Sequence, residues 1–222
     1  FEVRGGEVFG IAGVDGNGQS ELVGAVTGLR SAAAGTVRFS GEDVTDASRR
    51  RRIESGMAYI PEDRQERGVV MDFDLVKNAL LGSQHSPEFG PKGRIDWPRT
   101  REHAEAIIDE YDVRTRGADA AAASLSGGNQ QKFIVGRELK RDPELVVASH
   151  PTRGVDVGSI EFIHERLLEL QRSGVAVLLI SSKLEEVQGL SDRLAVMYEG
   201  EFIDVVDPAT TTESELGLLM AG

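Results

Sequence analysis

The run Leu125-Ser126-Gly127-Gly128-Asn129-Gln130-Gln131-Lys132 has the makings of an anion site built from backbone. Adjacent glycines let the main chain come close to a phosphate. The serine hydroxyl can donate to it, and a helix leaving the turn aims free N–H groups the same way. A second stretch with related chemistry lies far upstream: Gly13-Val14-Asp15-Gly16-Asn17-Gly18-Gln19-Ser20, followed by Glu21. Its glycines suit amides wrapped around phosphates, and Ser20 offers a hydroxyl suited to magnesium. Taken alone, such a glycine-rich turn serves equally well as plain structure, and both readings stay open at this point.

The elements around these turns must position them. Residues 7–12 read as a short buried strand and residues 19–29 as an amphipathic helix, so the first turn joins strand to helix. Residues 37–39 and 57–60 read as further strands, with an arginine-rich helix between them, and Pro61 ends the second. From 72 to 140 the pattern is helical: Leu75, Val76, Ala79 and Leu80 suit one helix, residues 99–111 another, and residues 129–139 leave the Ser-Gly-Gly turn. Ala118 to Ala123 belongs to the loop before it. After Pro143, apolar runs at 145–148 and 175–180 flank a helix over 159–172, which indicates a parallel sheet covered on both faces. LAVMYEG and EFIDVV then read as a hairpin turning at Glu199-Gly200. The expected organisation is α/β, a mostly parallel core sheet with an inserted helical lobe. Residues 1–71 form the first part of the core, 72–140 the lobe and 141–222 the second part. Because Phe1 opens directly on strand-like FEV, the natural N-terminus, with further strands, is expected upstream.

Composition narrows the function classes. A chain of 222 residues with 40% hydrophobic content supports one core, or a core with a satellite lobe. No apolar run is long enough to span a bilayer, so a soluble domain is expected. Cysteine is absent, which excludes disulfides and thiolate metal sites. His85, His103, His150 and His164 lack ligand-like spacing and are expected at the surface. A net charge of −12 disfavours a nucleic-acid partner. The four arginines at 49–52 read as a solvated helix face.

LSGG resembles the signature motif of ABC-type ATPases. NQQK and the phrase GVDGNGQSEL resemble the sugar and nucleoside importers of that family, in particular the second of two tandem nucleotide-binding domains. The resemblance runs from about Glu7 to Gly200 and implies the P-loop NTPase fold of ABC type. In that family two domains face each other head to tail, each ATP lying between the P-loop of one and the signature of the other. It implies that Gly13, Asp15, Gly16, Asn17, Gly18, Gln19, Ser20 and Glu21 hold the domain's own ATP, with Ser20 on Mg2+. Leu125, Ser126, Gly127, Gly128 and Gln130 would face the partner's ATP, and Asp156, in the D-loop, would reach across the interface. The partners implied are another nucleotide-binding domain, from the N-terminal half of the same polypeptide, transmembrane permease subunits, and indirectly an extracellular solute-binding protein. The place implied is the cytoplasmic face of the membrane. Phe73 and Leu75 are candidate permease contacts or lobe interior, and Phe1 and Phe9 read as core-strand residues rather than adenine platforms.

Five positions depart from the family pattern: Gln19 replaces the P-loop lysine, Ser149 and His150 the Asp-Glu pair, Glu62 a glutamine, and Ser182 the switch histidine. The expectation is a domain that binds ATP weakly and does not hydrolyse it. The alternative is a dimerisation module of the same fold that binds no nucleotide.

Overall fold

The computed structural model describes residues 1–91 and 94–221. The helical stretch expected over 72–140 therefore includes two positions, 92 and 93, outside the described residues. The chain divides into two units, residues 1–59, 143–151 and 164–222 in the first, 60–142 and 152–163 in the second.

The first unit is built on a six-stranded sheet of β1 (Val8–Ala12), β4 (Met57–Ile60), β5 (Leu145–Ser149), β6 (Ala176–Ile180), β7 (Arg193–Tyr198) and β8 (Glu201–Val206), in the order β4-β5-β6-β1-β7-β8. β1 runs parallel to β6 and β7, and β5 parallel to β6, whereas β8 is antiparallel to β7. β1 and β6 are buried at every position, as uninterrupted apolar runs require when both faces are covered. Phe9, Ile11, Val147, Leu178 and Ile180 form the centre of the core with Val23. Each such side chain contributes roughly 1.5–3 kcal/mol through burial. Helix α1 (Gln19–Thr27) follows β1. A small antiparallel pair, β2 (Arg38–Phe39) and β3 (Glu42–Asp43), precedes α2 (Arg49–Glu54), which Ser48 caps by accepting from the Arg51 N–H at 3.3 Å.

Arg52 corrects the solvated-face reading of the arginine run. It is only 2% exposed, and its guanidinium donates to the carbonyls of Ala25, Val26, Thr45 and Ala47. Four carbonyls explain why a cation is tolerated there, although burial lowers its pKa. Phe1 is likewise exposed rather than a core-strand residue, stacking on buried Phe9 with ring centroids 5.5 Å apart. Its neighbours carry no strand structure. The hairpin turns at Glu199 and Gly200 as the sequence indicates, both with positive φ, of 45° and 85°. α7 (Leu184–Leu190) and α8 (Glu213–Ala221) complete the unit. The start of α8 carries a capping-box spacing, Thr212 to Glu215. Thr212 Oγ1 accepts from the Glu215 N–H at 3.3 Å, and the Glu215 carboxylate accepts from the Thr212 N–H at 2.8 Å.

The second unit is helical, as expected. α3 (Leu75–Leu80), α4 (Trp97–Glu110) and α5 (Gly127–Leu139) are capped by Asp74, Asp96 and Ser126, each accepting from a backbone N–H three residues on. Leu75, Ala79, Ile107, Phe133 and Ile134 are fully buried. Leu75 therefore belongs to the interior and is removed from the candidate contacts, whereas Phe73 is 40% exposed. A single π-helical turn, Arg64–Gly68, follows β4. α5 fastens to this turn and to α3 through buried Arg137, which donates to the Gly68 carbonyl at 2.8 Å and pairs with buried Glu138 at 2.9 Å. Helix α6 (Val157–Arg172) starts in this unit and continues into the first.

Candidate functional site

The predicted site residues fall into two groups, one in each unit. In the first unit, Gly16 and Gly18 take φ of 94° and 102°, a left-handed region that side chains disfavour, so the turn after β1 depends on glycine. Asp15, Gly16 and Ser20 are exposed, which leaves the turn open to solvent at the start of α1. Asn17 anchors it to the β7–β8 hairpin. Its side-chain oxygen accepts from the Glu199 N–H at 3.1 Å, and its carbonyl from the Gly200 N–H at 2.9 Å. No local pattern in the sequence announced that contact.

Gln19 is held inside its own turn. It is 6% exposed, and its Nε2 donates to the Val14 carbonyl at 3.0 Å. A Cβ on Gly13 would collide with that amide, so Gly13 is required for close packing. Gln19 thus laces the turn from inside. Backbone amides and the Ser20 hydroxyl remain as the groups fitted to a phosphate.

At the end of β5, Ser149 is buried and registers with Ile180. His150 is 8% exposed, which corrects the expectation of a surface histidine. It takes φ of 45°, donates its backbone N–H to the Ile180 carbonyl at 2.7 Å, and accepts from the Ser182 N–H at Nδ1, 3.3 Å away. Accepting at Nδ1 places the ring proton on Nε2 and occupies the lone pair that a general base would use. Ser182 itself is exposed. Ser149, His150 and Ser182 do come together, as hydrogen-bonded structure at the ends of β5 and β6.

In the second unit the signature turn is fixed from several sides. Ser126 caps α5 and also accepts from the Asn129 side-chain amide at 2.8 Å, while staying exposed. Leu125 is buried, and Gln130, 3% exposed, turns inward to donate to the Ala122 carbonyl at 3.0 Å. Its side chain supports the turn instead of facing outward, which sequence spacing alone did not reveal. A Cβ on Gly128 would strike Asp156 Oδ2 and Ser159 Oγ. Asp156 accepts from the Ser159 N–H at 3.0 Å and hydroxyl at 2.9 Å, and these bonds hold its carboxyl below the usual range. Ser126, Gly127, Gly128 and Asp156 are therefore brought together, with an ionised carboxylate beside the helix opening. Glu62, half-buried, precedes the π-helical turn, and Asp63 caps that turn by accepting from the Gln65 and Glu66 N–H groups at 2.9 and 3.0 Å.

A mostly parallel sheet with a glycine turn after a central strand, joined to a helical unit whose Ser-Gly-Gly turn opens a helix, is the P-loop ATPase fold of ABC type. The chain belongs to the ABC transporter family, matching it over residues 1–153. It is 50% identical over its whole length to the guanosine import ATP-binding protein NupO of Bacillus subtilis, covering 44% of that relative. It is 45% identical, over 99% of its length, to the glucose import ATP-binding protein TsgD13 of Haloferax volcanii, covering 40% of it. The chain thus spans less than half the length of these relatives. Among solved structures it is similar to the ADP conformation of MJ1267, an ATP-binding cassette of an ABC transporter. There the TM-score is 0.76 at 26% identity, over 100% of this chain and 86% of that one.

Proposed function

We propose that this chain is a nucleotide-binding domain of an importer for a nucleoside or simple sugar, and that it supplies its signature turn to an ATP held chiefly by a partner domain. The partner is the other nucleotide-binding half of the same polypeptide, and the assembly joins permease subunits on the cytoplasmic face of the membrane. The carrying observation is the contrast between the two turns: Ser126 is exposed at a turn braced by Asp156 and Ser159, whereas Gln19 is folded into its own loop.

The domain's own turn fits a phosphate through its amides, with Ser20 as the hydroxyl for Mg2+. It lacks the lysine charge and an aspartate at position 149. Bound Mg2+ would offset phosphate charge, but no second ligand of this chain is assigned to it. His150 is engaged at Nδ1 and is given no role as base. The domain therefore binds ATP weakly and turns it over negligibly.

A thermal-shift titration tests this. ATP at ten times its Kd stabilises the folded chain by about 1.4 kcal/mol, which raises Tm by about 3 °C for a domain of this size. The second reading, a dimerisation module that binds no nucleotide, draws support from the Gln19–Val14 bond, which closes the turn on itself. It requires no shift at millimolar ATP. Magnesium-dependent hydrolysis by the isolated chain would sink the account of positions 149 and 150.

A further inference from the structure

We infer that Arg64 is a positioning residue that holds the signature turn and the segment leading to Asp156 as one anion-receiving surface, an inference resting on the in-trans role proposed above. Arg64 opens the π-helical turn two residues after Glu62, where the Asp63 cap fixes the departing backbone. Its Nη1 donates to the Arg153 carbonyl at 2.7 Å and its Nη2 to the Gly154 carbonyl at 3.2 Å. The same Nη2 lies 2.7 Å from where a Cβ on Gly127 would stand. One planar group therefore meets three segments: the turn after Glu62, the opening of α5, and the approach to Asp156.

The chemistry favours arginine for this task. Two carbonyls are held by two N–H donors in a rigid fork, whereas a lysine ammonium is a single point on a flexible stem. Among the described residues both hydrogen-bond acceptors are backbone carbonyls, and the cation lies beside Gly127 at the opening of α5. Nε is buried without an acceptor among those residues. Burying an unpaired donor works against folding, so the placement is poorly explained by stability alone. Asp156 adds the last link: it bonds to Ser159, and both pack against Gly128. Anchoring residues 153 and 154 thus sets where Asp156 and the signature amides stand relative to each other.

The test is steady-state ATP hydrolysis by the full polypeptide carrying this chain, assembled with its permease, as wild type, Arg64→Lys, Arg64→Met and Ser126→Arg. Misplacing the signature amides should lower kcat about 10- to 100-fold in both Arg64 variants. KM for ATP should stay within about twofold, because the partner's P-loop is untouched. Tm should be unchanged, lysine should not rescue, and with Ser126→Ala measured alone and combined with Arg64→Met, the double variant should fall no further than the worse single one. Full rescue by lysine, a rise in KM at unchanged kcat, additive losses, or a kcat loss that tracks a fall in Tm would each overturn the inference. Lost turnover in Ser126→Arg with normal turnover in both Arg64 variants overturns it alone. Normal turnover in Ser126→Arg overturns the in-trans reading and this inference with it.

Discussion

The turn after β1 and the turn before α5 are both glycine turns at the start of a helix, yet they are constrained in opposite ways. At the first, the side chain standing where the family has lysine bends back onto Val14, and the turn is held from within and by the β7–β8 hairpin through Asn17. At the second, the Ser126 cap is joined by constraints from other segments, with Asp156 and Ser159 behind Gly128 and Arg64 beside Gly127. A turn laced by its own side chain keeps its shape without a ligand charge. A turn braced by neighbours can keep an outward group at the surface, here Ser126, which stays exposed while it caps α5. On the proposed reading, the departures from the family pattern fall on positions assigned to phosphate, metal and water, whereas the signature keeps its motif.

Substitutions at the two turns should therefore separate cleanly. Gly128→Ala drives a methyl into Asp156 and Ser159 and, on the proposed role, should lower ATP turnover of the assembly about 100-fold. An equal loss from Gly13→Ala would erase the contrast. Arg52→Met strips four carbonyls of their donor beneath α1 and should destabilise the first unit by about 2–3 kcal/mol, read by urea melts. Gln19→Lys restores a phosphate charge to the open turn. ATP should bind about tenfold more tightly, roughly 1.4 kcal/mol, without gaining turnover while Ser149 and His150 remain.

The smallest effect concerns Asp156. Its carboxyl is held below the ordinary range by Ser159, so the stabilisation it contributes is present above the unfolded carboxylate pKa and is lost as pH falls through the lower folded value. Ser159→Ala should return the Asp156 pKa towards its ordinary value, followed by the carboxyl chemical shift. No change would mean that those two hydrogen bonds do not hold it.

Much of this contrast was legible in the sequence because it is local. Uninterrupted apolar runs gave β1, β5 and β6, since strands buried on both faces leave no room for alternation. The Ser-Gly-Gly turn and its helix were legible for the same reason, with Ser126 as the cap. What escaped depends on contacts between distant segments. Arg52 looked solvated in a run of four arginines, until the carbonyls of Ala25 and Val26 gave it a buried seat. Gln130 and Leu75 carried helical spacing but no sign of which way they point, and both turn inward. His150, expected at the surface, is buried by its place at the end of β5, where its ring accepts from the Ser182 N–H. Arg64 meets Arg153 and Gly154 across separations of 89 and 90 residues, beyond any periodicity.

The most direct measurement is ATP turnover by the full polypeptide with its permease when Ser126 is replaced by arginine. On the proposed role, a bulky cation at the exposed cap of α5 should block the partner's nucleotide and lower turnover at least about 100-fold, with Tm falling only by the few degrees the lost cap costs. Turnover at the wild-type rate would contradict the claim that this domain works through its signature turn.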